Sequence, residues 1–196
     1  MTASEMKTQL LRYLQAGRDA LLWKIEGLSE YDVRRPMTPT ATNLLGIVKH
    51  VASVEAGYLG ATFGRPFPEV LPWFEDGAEP NADMYATADE SREDIVGLYK
   101  RVWAHSDATV DALDLDTPGN VPWWGPSAGP VTLHRILVHM IAENDRHAGH
   151  ADIVREMIDG AAGLRQNNSN LPEQDEAWWA TYRERVEEAA RKAGAA

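Results

Sequence analysis

The stretch from Thr132 to Gly160 constrains this chain more than any other. Leu133, Ile136, Leu137, Met140 and Val154 fall on one face of a helix, most of them three or four residues apart. Glu143 and His147 lie in the gap of that stripe, four residues apart, so they stack one above the other. A carboxylate on an apolar stripe is costly unless it is paired or bound to a cation. The chain must therefore fold so that a neighbour answers this pair. An oxygen donor and a nitrogen donor one turn apart make half of a site for zinc or a similar divalent metal.

The remaining segments read as helices that can supply the neighbour. Ser4 is a candidate cap for a first helix reaching about Leu28, with Leu10, Leu11, Leu14, Leu21, Leu22 and Ile25 on its inner face. Ser29 to Ala41 reads as a connection. A second helix runs from Asn43 to about Phe63, with Leu44, Ile47, Val51, Val54 and Tyr58 inward and Gly64 placed to end it. Thr87 and Glu90 form a capping-box pattern ahead of a third helix that ends near Leu113. The fourth is the Thr132–Gly160 helix. After a polar linker, Arg165 to Glu173, an amphipathic helix spans Asp175 to Ala193. No convincing strand run is present. The expected fold is all-α: a four-helix bundle with a long crossover and an additional C-terminal helix. It forms one domain over residues 1–196, of which 161–196 are an extension carrying one helix. The crossover, Gly64 to Ala86, is long enough to return along a helix of ~30 Å, which allows the second and third long helices to be parallel.

Composition narrows the function classes. Acidic residues outnumber basic ones 30 to 19, for a net charge of -11. That argues against nucleic acid and against an anionic membrane surface, both of which call for Lys and Arg. No run of eighteen apolar residues is present. The N-terminus lacks the basic and apolar regions of a signal peptide. With no cysteine, there is no disulfide, no thiolate ligand and no cysteine nucleophile. These features point to the cytoplasm.

His50 is the best third ligand of the six histidines. It lies beside the Ile47, Val51 and Val54 face, and Gly46, Ser53 and Gly57 leave room near it for a helix or a bound molecule. His50, Glu143 and His147 make an N, O, N set with positions left open, as in a catalytic metal site built from facing bundle helices. His139 and His150 fall on nearly the same face as the pair, and either can replace a ligand or carry protons. His134 and His105 read as surface or structural. Trp73, Phe74, Trp123 and Trp124 sit in the two irregular stretches, where they either line a pocket mouth or cover the ends of the core. Arg34 and Arg35 are candidates for holding a substrate carboxylate. The bland alternative is a core histidine with a helix ion pair.

The segments Leu44-Leu45-Gly46-Ile47-Val48-Lys49-His50 and Glu143-Asn144-Asp145-Arg146-His147-Ala148-Gly149-His150-Ala151-Asp152-Ile153 resemble the DinB/YfiT-like superfamily of metal-binding four-helix bundles. Many members use three histidines. The His, Glu, His version resembles the N-terminal domain of mycothiol-dependent maleylpyruvate isomerases, which binds zinc. The resemblance implies His50, Glu143 and His147 as ligands of zinc, with nickel as the alternative. Those isomerases have a further C-terminal domain, where this chain continues with one helix. The expectation is therefore a thiol S-transferase of the smaller relatives' kind. Its partners would be a low-molecular-weight thiol of the mycothiol or bacillithiol class and a small electrophile. His150 would move protons, with Asp145 as a second candidate if it turns inward. The rival expectations are a non-catalytic metal- or ligand-binding bundle and an interaction protein. A homodimer is expected from the aromatic last helix, with Trp178, Trp179 and Tyr182.

Overall fold

The structure is a computed structural model that describes residues 2–125, 127 and 129–195. Part of the Asp114–Pro130 stretch and both chain ends lie outside the described residues. Among the described residues the α-helices are six: α1 (Ala3–Trp23), α2 (Glu30–Arg34), α3 (Leu44–Tyr58), α4 (Arg92–Ala112), α5 (Leu133–Asp159) and α6 (Glu176–Gly194). The helix-starting chemistry is local. The side chains of Asn43, Thr132 and Asp175 accept backbone N–H groups at the starts of α3, α5 and α6. Gly160, at φ 81, closes α5 in the left-handed conformation that glycine adopts without penalty.

Four ends differ from expectation. α3 stops at Tyr58, short of Phe63, and Gly64 closes a separate 3-10 turn, Ala61–Phe63. Thr2, not Ser4, caps α1, through a full capping box with Glu5. α1 stops at Trp23 and a short α2 forms inside the expected connection. Ser91 caps α4, while Glu90 turns back to accept the Thr87 N–H at 2.7 Å. Among the described residues the strands are confined to a two-residue antiparallel ribbon, β1 (Pro118–Gly119) with β2 (Val131–Thr132), which ties the stretch before α5 to the start of that helix. Among the described residues no helix is long and apolar enough to cross a membrane.

The four long helices pack around one another in the order α1, α5, α3, α4. Lys49 near the start of α3 meets Glu90 just ahead of α4, and Gly60 beyond α3 lies beside His105 late in α4. α3 and α4 therefore run parallel, as the crossover length allows. Gly17 beside Asn144 and Lys24 paired with Asp152 show that α1 and α5 also run parallel.

The core has two apolar halves. One gathers Leu21, Leu44, Leu45, Val51, Ile95 and Val154; the other gathers Leu14, Leu59, Val110, Ile136, Leu137 and Met140. Between them lies a polar layer. Arg18 of α1 donates to both oxygens of Glu55 of α3, at 2.6 and 3.3 Å, and to Asp107 of α4 at 2.9 Å. Tyr99 of α4 donates to Asn144 of α5 at 2.7 Å, and the Asn144 amide donates to the Met140 carbonyl at 3.0 Å. Arg18, Glu55, Tyr99 and Asn144 are all essentially excluded from solvent. Burial pushes the Glu55 carboxyl above the usual carboxylate range, against the pull of Arg18.

Arg18→Met should strand Glu55 and lower stability by about 3–5 kcal/mol at neutral pH, measured by urea unfolding. A carboxyl with a raised folded pKa is penalised fully above that value and relieved as pH falls toward the ordinary carboxylate range. The gap between variant and wild type should therefore narrow on acidification. A gap that stays constant from pH 8 to pH 5 would show that the stranded charge is not its source.

Candidate metal centre

α3 and α5 are antiparallel, and the ridge His50, Val54, Tyr58 faces the ridge His147, Glu143, His139. The His50 and His147 rings stand 4.8 Å apart, and the Tyr58 and His139 rings 4.6 Å apart. The rows follow the i, i+4 spacing of helix ridges. The polar layer fixes the rotation of α5. With Asn144 turned inward to Tyr99, Glu143 and His147 must flank it toward α3. The sequence reading placed Glu143 in the core, but the inward polar residue is Asn144, and the Glu143 side chain is 25% exposed.

His147 is buried and poorly satisfied. Its Nδ1 has no hydrogen-bond partner, and its Nε2 lies 3.5 Å from Glu143 Oε2, longer than a hydrogen bond. Burial first, then the neighbouring His50, His150 and Arg146, hold its pKa down to about 4. The ring is thus neutral at physiological pH, the state a metal ligand needs. As the side chains stand, no three His, Asp or Glu residues converge on one point among the described residues. The donor set and the orphaned imidazole nevertheless fit a divalent cation.

His50 is half-buried, and its Nδ1 lies 2.6 Å from Asp83 Oδ2. Asp83 comes from the crossover, where no periodicity marks it. The other candidates separate cleanly. His150 is exposed, with its ring 5.5 Å from His147. His139 packs against Tyr58 and Trp124 instead of the pair. His105 bonds the Arg65 carbonyl, a structural role. Arg34 spends its guanidinium on the Thr87 and Glu90 carbonyls and on Glu30, and Arg35 pairs with Asp32, so neither is free for a substrate carboxylate. Asp145 lines a separate cleft of about 1210 Å³ on the far side of α5, with Trp23, Trp103 and Asp152, so it does not turn toward His147.

The small residues of α3 are not open space. The Met84 carbonyl fills the place of a side chain at Gly46, Trp73 donates to Ser53 at 2.8 Å, and Trp123 packs on Gly57. The two long irregular stretches close over the helix there. The Tyr58 hydroxyl accepts both indole N–H groups, from Trp123 at 3.2 Å and from Trp124 at 2.8 Å. Trp124 joins the core, while Trp123 stays 52% exposed at the end of the seam beyond Glu143.

In the metal-free protein, the His147 ring should titrate with a midpoint near 4. Because that value lies below the unfolded one near 6.5, the group's contribution to stability is full above 6.5 and is lost as pH falls toward 4. Proton NMR of the imidazole signals checks this, and a His147 midpoint above 6 would refute the buried, unsatisfied environment.

A search of curated proteins finds no match to this chain. The mycothiol-S-transferase family matches residues 9–160, more than three quarters of the sequence. That span takes in most of α1 and all of α2 to α5, with both ridges of the seam. The chain belongs to the mycothiol S-transferase family.

Proposed function

We propose that this protein is a metal-dependent S-transferase that joins a low-molecular-weight thiol of the mycothiol class to a small electrophile. The observation that carries the reading is His147: a buried neutral imidazole whose Nδ1 has no partner and whose Nε2 lies 3.5 Å from Glu143, with the His50 ring 4.8 Å away. His50, Glu143 and His147 would hold zinc, or nickel. Bound there, the cation would supply the charge that keeps a thiol as its thiolate near neutral pH.

The chain's own groups do the rest. Glu143 contributes a negative oxygen donor to the set, and its partial exposure leaves one side of the site open to solvent. His150, exposed and one turn beyond His147, would take the thiol proton and pass it to water. The exposed face of Trp123, some two turns along the seam, offers a surface for the non-reacting part of the thiol. The sulfur then bonds to the electrophilic carbon. The carbon's former bonding pair leaves with a leaving group or, in an addition, takes up a proton. The reading carries a cytoplasmic location, where thiols are kept reduced.

The test pairs zinc titration with turnover. Calorimetry should show one zinc per chain for the wild type and a loss of binding in His147→Ala. The zinc-loaded protein should conjugate a bimane or chlorodinitrobenzene electrophile faster with mycothiol than with bacillithiol, glutathione or coenzyme A. Glu143→Gln should cut the rate by about tenfold or more. The rate should be flat through neutral pH, and its acid fall should lie below ~6.5, the value of a free histidine, because the ligands must be deprotonated to hold a metal. Zinc binding without thiol-dependent turnover would transfer the reading to its alternative, a non-catalytic metal- or ligand-binding bundle.

The same proposal includes a homodimer built on α6. None of its described residues is buried. Trp178 and Tyr182 stack at 5.3 Å with only 4° between their planes, and Tyr182 and Val186 are about half exposed. Light scattering at micromolar concentration should return twice the mass of one chain, and the mass of a single chain would exclude this part.

A further inference from the structure

The crossover between α3 and α4 is fastened to α3 within a few residues. The Met84 carbonyl approaches so closely that a Cβ on Gly46 would lie 1.8 Å from its oxygen, so only glycine admits it. Asn43, the cap of α3, donates its side-chain amide to that same carbonyl at 3.1 Å. Lys49, only 2% exposed, donates to the Ala82 and Tyr85 carbonyls, each at 3.0 Å. Its ammonium also pairs with Glu90 at 2.8 Å and lies 4.0 Å from the Trp73 ring centroid. A buried lysine with this many partners is strongly located, because moving any of them leaves a charge unsatisfied. All of these contacts bracket one residue, Asp83, whose side chain is 14% exposed and whose Oδ2 is 2.6 Å from His50 Nδ1.

We propose that Asp83 is a positioning residue for His50, and that Gly46, Asn43, Lys49 and Glu90 form a clasp that holds it there. An ionised carboxylate only accepts hydrogen bonds, so His50 Nδ1 must carry a proton. The neutral ring then presents its lone pair on Nε2, the nitrogen across the ring from Asp83. A carboxylate behind a ligating histidine fixes its tautomer and orientation and raises its basicity. The proposal rests on the reading of His50, Glu143 and His147 as a metal centre. It adds that the crossover, which no helical pattern connects to the site, sets the geometry of one ligand.

Two measurements test it. Two-bond proton–nitrogen NMR of the metal-free protein at pH 8 should show His50 protonated at Nδ1 and bare at Nε2. In Asp83→Ala the two tautomers should mix, and zinc affinity by calorimetry should fall by about 10–100-fold. Asp83→Asn, whose amide oxygen can accept the same bond, should keep the Nδ1–H form and most of the affinity. Three results would overturn the proposal: a wild-type ring protonated at Nε2 or at both nitrogens, unchanged affinity in Asp83→Ala, or a loss as complete as in His147→Ala. The last would make Asp83 a ligand itself. If the wild type binds no zinc while the tautomer still depends on Asp83, the metal reading fails and the positioning role stands. If zinc binds and the tautomer is indifferent to Asp83, only the positioning role fails.

Discussion

The Arg18–Glu55 pair is the constraint on which the rest of the bundle depends. Its apolar halves are made of Leu, Val and Ile, which tolerate a helix sliding by one turn at modest cost. A buried guanidinium and carboxylate do not. Slipping α1 against α3 by a turn would leave both charges in the core without partners, at several kcal/mol. The Tyr99–Asn144 bond does the same for α4 against α5. The polar layer thus fixes the register of all four long helices. The candidate centre follows from it by helical geometry. His50 lies five residues before Glu55, which turns it roughly 140° around α3, away from the polar layer. Glu143 and His147 flank Asn144 on α5 and meet it there.

The helices were legible because burial imprints a period on the sequence. α5 shows this best, since Thr132 and Gly160 mark both ends with chemistry that the structure retains. Starts with two competing signals were less legible: Thr87 with Glu90 and Ser91 with Asp94 are both capping patterns, and the helix took the second. The candidate positions Glu143 and His147 were readable as a stripe on α5, but which neighbour of the pair turns fully inward was not. Glu143 and Asn144 differ by only about 100° around the helix, and the partner that chose between them, Tyr99, lies 45 residues away. Asp83 carried no signal at all, because an acidic residue in an irregular segment has no period to break.

Gly46, Ser53 and Gly57 show how small residues can mislead. They read as space for a ligand, and they are space, but the protein's own loops fill it. Long connections must satisfy their backbone groups and cover apolar surface somewhere. Here they do so by pressing Met84, Trp73 and Trp123 onto the smallest side chains of α3. The exposed surface that remains is the seam itself, bounded by His150 at one end and Trp123 at the other.

The pairing of α1 with α5 has a consequence for synthesis. Gly17 packs on Asn144, and 144 − 17 = 127 residues separate them. At the ~5–20 residues per second of translation, the ribosome needs roughly 6–25 s to bridge that interval. During that time α1 lacks the helix it packs against most, and only Glu55 of α3 and Asp107 of α4 are there to meet Arg18. α3 and α4 emerge earlier and are already joined through Lys49 and Glu90. The seam between α3 and α5, with its candidate ligands, therefore comes into existence only when α5, the last of the four, arrives.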